Sequence, residues 1–170
     1  MTTTRRFCAD DLLRFSATNM DPLTETYTTA FYLSYLARWP GMCSLQEGAS
    51  GRVSSYMIGK AEGRGSEWHG HVSALTVAPE FRRLGLAKTL MAELERVSDK
   101  AYNGFFVDLF VRVGNTIAVR MYTALGYTVY RRVLGYYGDP DEDAFDMRKR
   151  CPRDADGRSI VPLPLPVERP

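Results

Sequence analysis

Histidine and cysteine are scarce in this chain: His69 and His71, and Cys8, Cys43 and Cys151, among 170 residues. An odd set of three widely spaced thiols makes neither a disulfide framework nor a metal-ligand pattern, so free thiols in a reducing compartment are expected. No bound metal is expected. No apolar run approaches the roughly 20 residues that a membrane-spanning helix needs, and the start Met-Thr-Thr-Thr-Arg-Arg lacks the apolar centre of a secretory leader. A cytoplasmic location without membrane attachment is the resulting expectation. Charge of one sign is also nearly absent. Lys and Arg number 22 and Asp and Glu 20, a net charge of +2, too balanced for direct nucleic-acid binding as the main task. No internal repeat is visible.

What is present suits one globular α/β domain. Apolar residues make up 45% and charged residues 25% of the chain, the mixture of a protein with a sizeable core. A first strand is expected over 2–7, a short helix from Asp10 to about Phe15, and a second helix from near Thr26 to Arg38, stopped by Trp39-Pro40-Gly41. Strands follow at Met42–Glu47, Val53–Ala61 and His69–Val77. Leu84, Ala87, Leu90, Met91, Leu94 and Val97 recur at helical spacing to about Lys100. The apolar run Gly104–Val111 reads as a strand covered on both faces. Asn115 reads as the cap of a helix ended by Gly126, and Tyr127–Tyr137 with Asp143–Lys149 as a closing hairpin. The fold class is therefore α/β: a mixed, mostly antiparallel central sheet of about seven strands with about four helices. Residues 1–150 form the domain, and residues 151–170, with Pro-Leu-Pro-Leu-Pro, an extended tail.

The most informative stretch is Val77-Ala-Pro-Glu-Phe-Arg-Arg-Leu-Gly-Leu-Ala87. Pro79 stops a strand, and a helix follows. Its first N–H groups lack intrahelical partners and sit at the positive end of the dipole, which suits a phosphate. Gly85 allows close approach to the backbone, and Arg82 and Arg83 add fixed positive charge.

With its flanks, Arg82-x-x-Gly85-x-Ala87 resembles the acetyl-CoA pyrophosphate loop of the GNAT acetyltransferases. Asn115-x-x-Ala118-x-x-x-Tyr122-x-x-x-Gly126-Tyr127 resembles that family's second signature. Further stretches, among them Tyr27, Phe31-Tyr32-Leu33, Glu67-Trp-His-Gly-His71, Phe105–Val113 and Tyr136-Tyr137, resemble the catalytic subunits of the N-terminal acetyltransferase NatB over nearly the whole chain.

The resemblance implies that acetyl-CoA is the co-substrate, touched by Leu75, Val77, Arg82, Arg83, Gly85, Leu86, Ala87, Asn115 and Tyr122. Tyr122 would protonate the leaving thiolate. His71 would relay a proton or read the second substrate residue. Glu25, Tyr27, His71, Tyr136 and Tyr137 would bind the peptide. Substrates would be nascent protein N-termini beginning Met-Asp, Met-Glu, Met-Asn or Met-Gln. A large helical auxiliary subunit would dock on the first two helices, where Leu12, Leu13, Phe15, Leu23 and Leu36 exceed one core stripe, and would bring the chain near the ribosome. Direct transfer in a ternary complex fits a chain in which no cysteine has an evident activating base. An α-amine of pKa about 7.7–8.0 needs only a weak base, unlike a lysine at about 10.4. His69 and His71 are expected on opposite faces of their strand, with His71 toward the cleft beside Ser73, Leu75 and Val77.

Overall fold

The computed structural model describes residues 2–20, 22, 24–138 and 141–168. Leu23 and the start of the acidic run Asp139–Asp143 lie outside them. Among the described residues there are eight strands and three α-helices, against about seven and about four expected. They are β1 (Thr3–Arg6), α1 (Thr29–Arg38), β2 (Cys43–Glu47), β3 (Val53–Glu62), β4 (His69–Val77), α2 (Leu86–Lys100), β5 (Phe106–Arg112), α3 (Thr116–Ala124), β6 (Thr128–Gly138), β7 (Asp141–Arg150) and β8 (Val167–Glu168). The expected first helix is a 3-10 turn, Ala9–Leu13. Asp11 folds back there to accept from the Cys8 N–H, 2.8 Å away, and so shortens the turn. The second helix starts at Thr29, because the Thr28 hydroxyl accepts from the Phe31 N–H and caps it.

Chain contacts gather into two compact units. One takes in the residues up to Ala61 together with Val72–Val97, the other Glu62–His71 together with the residues from Ser98 onward. In the first unit the strands run in the order β1-β2-β3-β4, with β1/β2 and β2/β3 antiparallel. Its core is aromatic: Phe7, Phe15, Tyr32, Tyr35 and Tyr56 pack with Cys43, Leu45, Val53 and Ile58. Four of these rings meet edge-on or tilted at centroid distances of 5.2–5.8 Å, a geometry that adds to area burial. Phe15 is thus core, and Leu12 and Leu36 pack against it. Leu13 is 86% exposed. An ion cluster ties the ends of this unit: Arg5 and Arg14 both grip Asp11 and Glu47 at 2.6–2.8 Å.

In the second unit the order is β5-β7-β6-β8. The β5/β7 and β6/β7 pairs are antiparallel and β6/β8 is parallel. Every residue from Phe106 to Leu109 is buried, as an apolar strand run demands. The segment after Arg150 carries a 3-10 turn, Arg158–Ile160, and docks on the sheet. Leu163 N–H donates to the Tyr130 carbonyl at 2.7 Å, and Val167 pairs with Val133 as an eighth strand. The strand β6 shifts register between Val133 and Tyr137, where Gly135 takes φ +56° and its N–H donates to Asp143 Oδ1 at 2.9 Å. Such a bulge re-aims the residues after it, here Tyr136 and Tyr137.

Candidate active site

The predicted site residues fall in both units. In the first, β4 ends at Val77 and a 3-10 turn, Pro79–Phe81, follows. Arg82 Nε donates to the Val77 carbonyl at 3.3 Å, which ties strand end to turn. Arg83 and Gly85 both have positive φ, +63° and +78°. After this left-handed backbone α2 starts at Leu86, two residues later than the apolar spacing implied. Leu84 is left outside the helix and 65% exposed. A Cβ on Gly85 would meet nothing within 4 Å, so its φ and not crowding calls for glycine. Arg82, Arg83 and Gly85 are exposed, Ala87 is half-buried and Leu86 is buried. The result is an exposed, positively charged turn leading into the start of a helix, whose first N–H groups lack intrahelical partners, the form that binds a phosphate.

Tyr27 sits in an aromatic cluster of the same unit. Its ring stacks on Phe31 at 4.1 Å, and Phe31 leans on Tyr35 at 4.4 Å. The Tyr27 hydroxyl donates to the Ser73 carbonyl at 3.2 Å, while the Ser73 hydroxyl donates to the Tyr35 oxygen at 2.9 Å. Leu75 and Val77 lie further along that strand, both half-buried. Glu25 is exposed in the segment before α1.

In the second unit His71 Nδ1 lies 2.7 Å from Asp108 Oδ1. A carboxylate accepts only, so Nδ1 carries the hydrogen and, in the neutral ring, Nε2 is left as the acceptor. Burial alone would raise the Asp108 pKa, but His71 and His69 together hold it well below the usual carboxylate range. His69 reaches the same oxygen, with Nε2 at 3.3 Å. The expectation of opposite faces therefore fails: residues two apart on a strand share a face, and both imidazoles converge on one carboxylate. An aromatic train leads on from His71. Phe110 lies 5.8 Å away, Tyr136 stacks flat on Phe110 at 4.6 Å, and Tyr137 meets Tyr136 at 5.0 Å. Tyr137 donates to the Phe110 carbonyl at 3.3 Å, and the Arg112 guanidinium covers its ring at 4.0 Å.

Asn115 caps α3, its Oδ1 accepting from the Ala118 N–H at 3.2 Å. Tyr122 is two helical turns further on and buried, and its ring meets Tyr127. Burial pushes its phenol pKa above the ordinary value, so it is a hydroxyl donor at neutral pH. A cavity of about 330 Å³ lined by Gly114, Arg132, Gly135 and Glu142 shares no residue with the predicted site.

Asp108 and Phe110 were not singled out from the sequence. One signal for Asp108 existed, a lone acid inside an apolar strand run. Asp is almost never fully buried unless paired, so such an acid implies a partner on a neighbouring strand.

Comparison with known proteins adds an independent line. The sequence model of the acetyltransferase (GNAT) family matches residues 12–127. A protein of Dictyostelium discoideum named N-alpha-acetyltransferase 20 is 59% identical over 167 residues, covering 98% of this chain and 96% of its own. The crystal structure of Chaetomium thermophilum Naa20 with a bisubstrate analogue superposes with TM-score 0.91 at 40% identity, covering 98% of this chain and 96% of that one. The NatB acetyltransferase complex bound to CoA and MES gives TM-score 0.81 at 42% identity, over 88% of this chain and 99% of that one.

Proposed function

Because the chain belongs to the acetyltransferase (GNAT) family, we propose that it moves the acetyl group of acetyl-CoA onto the α-amine of protein N-termini beginning Met-Asp, Met-Glu, Met-Asn or Met-Gln. It does so as the catalytic subunit of a NatB-type complex. The observation that carries the reading is the His71–Asp108 hydrogen bond of 2.7 Å beside the stacked Phe110–Tyr136 pair. This is an oriented proton acceptor next to flat, polar-tipped rings that suit a peptide. The 59% identity to an N-alpha-acetyltransferase supports the choice of an α-amine over a lysine.

The pyrophosphate of acetyl-CoA is held by the turn from Arg82 to Ala87, with Leu75 and Val77 along its arm and the Asn115 amide on the pantetheine. The α-amine is mostly protonated at neutral pH, and freeing it at pH ~7 costs only about 1 kcal/mol. His71 Nε2 takes that proton, directly or through one water. The amine nitrogen attacks the thioester carbonyl, the C–N bond forms, and the C–S bond breaks as the tetrahedral intermediate collapses. Tyr122 supplies a proton to the departing sulfur, and the second proton, which the nitrogen sheds as it becomes an amide, passes through water to restore the Tyr122 hydroxyl; the proton on His71 goes to solvent. Glu25 and Tyr27 hold the amine and the methionine, and Tyr136 and Tyr137 hold peptide carbonyls. Residues 1–150 carry this chemistry and residues 151–170 serve as a strap.

The auxiliary subunit docks where Leu13, Met20 and Leu33 stand exposed, an apolar area around the 3-10 turns and α1 that a partner would cover. Through it the chain works in the cytoplasm, close to the ribosome. Leu13→Asp should lower co-purification of that subunit while leaving acetyl-CoA binding intact.

The test of specificity is acetyl transfer to peptides starting Met-Asp, Met-Asn, Met-Leu and Ser-Glu and to an N-blocked lysine peptide, with and without a co-expressed auxiliary subunit. Selective turnover of Met-Asp and Met-Asn is expected. Preference for Met-Leu or for the lysine peptide would overturn the specificity.

A further inference from the structure

Four ionisable side chains converge at the end of β3, the start of β4 and the middle of β5. Asp108 Oδ1 lies 2.7 Å from His71 Nδ1 and 3.3 Å from His69 Nε2. Glu62 Oε1 lies 3.8 Å from His69 Nε2 and 3.9 Å from His71 Nδ1. One donor atom from each of Glu62, His69 and His71 falls within 4.8 Å of the other two. His69 is out of balance in this group. Its Nδ1 lies 2.6 Å from the Glu67 carbonyl, which only accepts, so Nδ1 carries the hydrogen. In the neutral ring Nε2 is then a bare lone pair. That nitrogen is shielded from solvent and has no hydrogen-bond partner, although the Asp108 oxygen is close. A buried lone pair facing carboxylate oxygens is costly unless a proton or a cation lies between them.

We propose that Glu62, His69, His71 and Asp108 bind one divalent transition-metal ion of the zinc class, entering from the Glu62 side. Two imidazoles with carboxylates suit zinc and disfavour magnesium or calcium, which prefer all-oxygen sets. Zinc bonds of about 2.0–2.2 Å set neighbouring ligands of a tetrahedron roughly 3.3–3.5 Å apart. The His69–Asp108 pair already has that spacing at 3.3 Å. The His71–Asp108 pair opens slightly as the ion replaces their shared hydrogen. The Glu62 side chain, 39% exposed, closes by rotation. The outer shell is also in place. The Glu67 carbonyl holds the far nitrogen of His69, as a ligating imidazole requires, and Phe106 stacks on the His69 ring at 4.5 Å and 7°, fixing its plane. The competitor is a proton. Burial disfavours the His69 imidazolium, but attraction to Asp108 outweighs it and the pKa is raised.

Occupancy has a consequence for transfer, which rests on His71 being the proton acceptor, whereas the binding itself does not. With Nδ1 on the metal, the neutral ring carries its hydrogen on Nε2 and cannot accept another proton there. The ion therefore inhibits acetyl transfer.

The test uses the full chain, stripped with EDTA, desalted, and titrated at neutral pH with Co²⁺ and then Zn²⁺. One equivalent of cobalt with the visible bands of a tetrahedral N/O site is expected, displaced by zinc. His69→Gln should weaken binding roughly 100-fold or more, and Glu62→Gln, a same-size change at a half-buried position, about 10-fold. Cys8→Ser should change nothing. No cobalt spectrum, or binding that survives both site variants and vanishes in Cys8→Ser, overturns the site. Zinc should inhibit the wild type and inhibit Glu62→Gln at correspondingly higher concentration. One-equivalent binding without inhibition upholds the site and overturns His71 as the base.

Discussion

Replacing Asp108 by Asn tests the proton-transfer reading most directly. The change keeps the shape but removes the charge that faces His71 Nδ1 at 2.7 Å. A hydrogen bond to a charged group contributes about 1.5–3 kcal/mol and a neutral one about 0.5–1.5, so about 1–2 kcal/mol of orientation and imidazolium stabilisation is lost. At about 1.4 kcal/mol per tenfold, kcat/KM for a Met-Asp peptide should fall roughly 5–30-fold. The loss is modest because freeing the α-amine at pH ~7 costs only about 1 kcal/mol, which leaves the base a small task. KM for acetyl-CoA should not change, since the phosphate turn is untouched. Steady-state kinetics with EDTA present, below the melting temperature of the variant, supply both readouts. A rate within twofold of wild type would refute the assignment. So would a loss confined to KM for acetyl-CoA.

Three further outcomes follow from other parts of the molecule. Gly85→Ala forces a side chain into φ +78° with no steric contact, at about 1–2 kcal/mol; the melting temperature should fall by about 2–8 °C and KM for acetyl-CoA should rise, whereas a rise in peptide KM alone would contradict the phosphate role. Cys8 is exposed while Cys43 and Cys151 are buried, and burial pushes the Cys43 thiol up to about 11; native alkylation read by mass spectrometry should mark Cys8 only, and all three in denaturant. Arg5, then Arg14, holds Glu47 down to about 2, and Arg5 holds Asp11 well below the carboxylate range. Their contribution is complete above the unfolded carboxyl values near 4 and disappears as pH falls through the folded ones. The melting-temperature gap between wild type and Arg5→Ala should accordingly be constant above about pH 5 and narrow steadily as pH falls below about 4; a gap that does not narrow on acidification would refute the ion-cluster account.

The family and the local elements that carry its signatures are legible in the order of residues alone. A strand stopped by Pro79, a turn with Gly85, an apolar stripe at helical spacing and an Asn115 cap are each specified by neighbours within one or two turns. Short-range sterics and hydrogen bonding suffice for such features. Helix starts were less legible, since a threonine cap at Thr28 and a left-handed residue at Arg83 depend on backbone angles that spacing does not encode. That His69 and His71 share one carboxylate emerges only from the pairing of strands. Asp108 lies 37 positions from His71 in the chain and is hidden in a strand read for its apolar residues. The same holds for the Gly135 bulge that aims Tyr136 and Tyr137, and for the tail paired with β6. These depend on register between strands distant in sequence, and each one decides which polar group a buried neighbour must satisfy. A local pattern contains no term for that requirement; it arises only when the strands lie side by side.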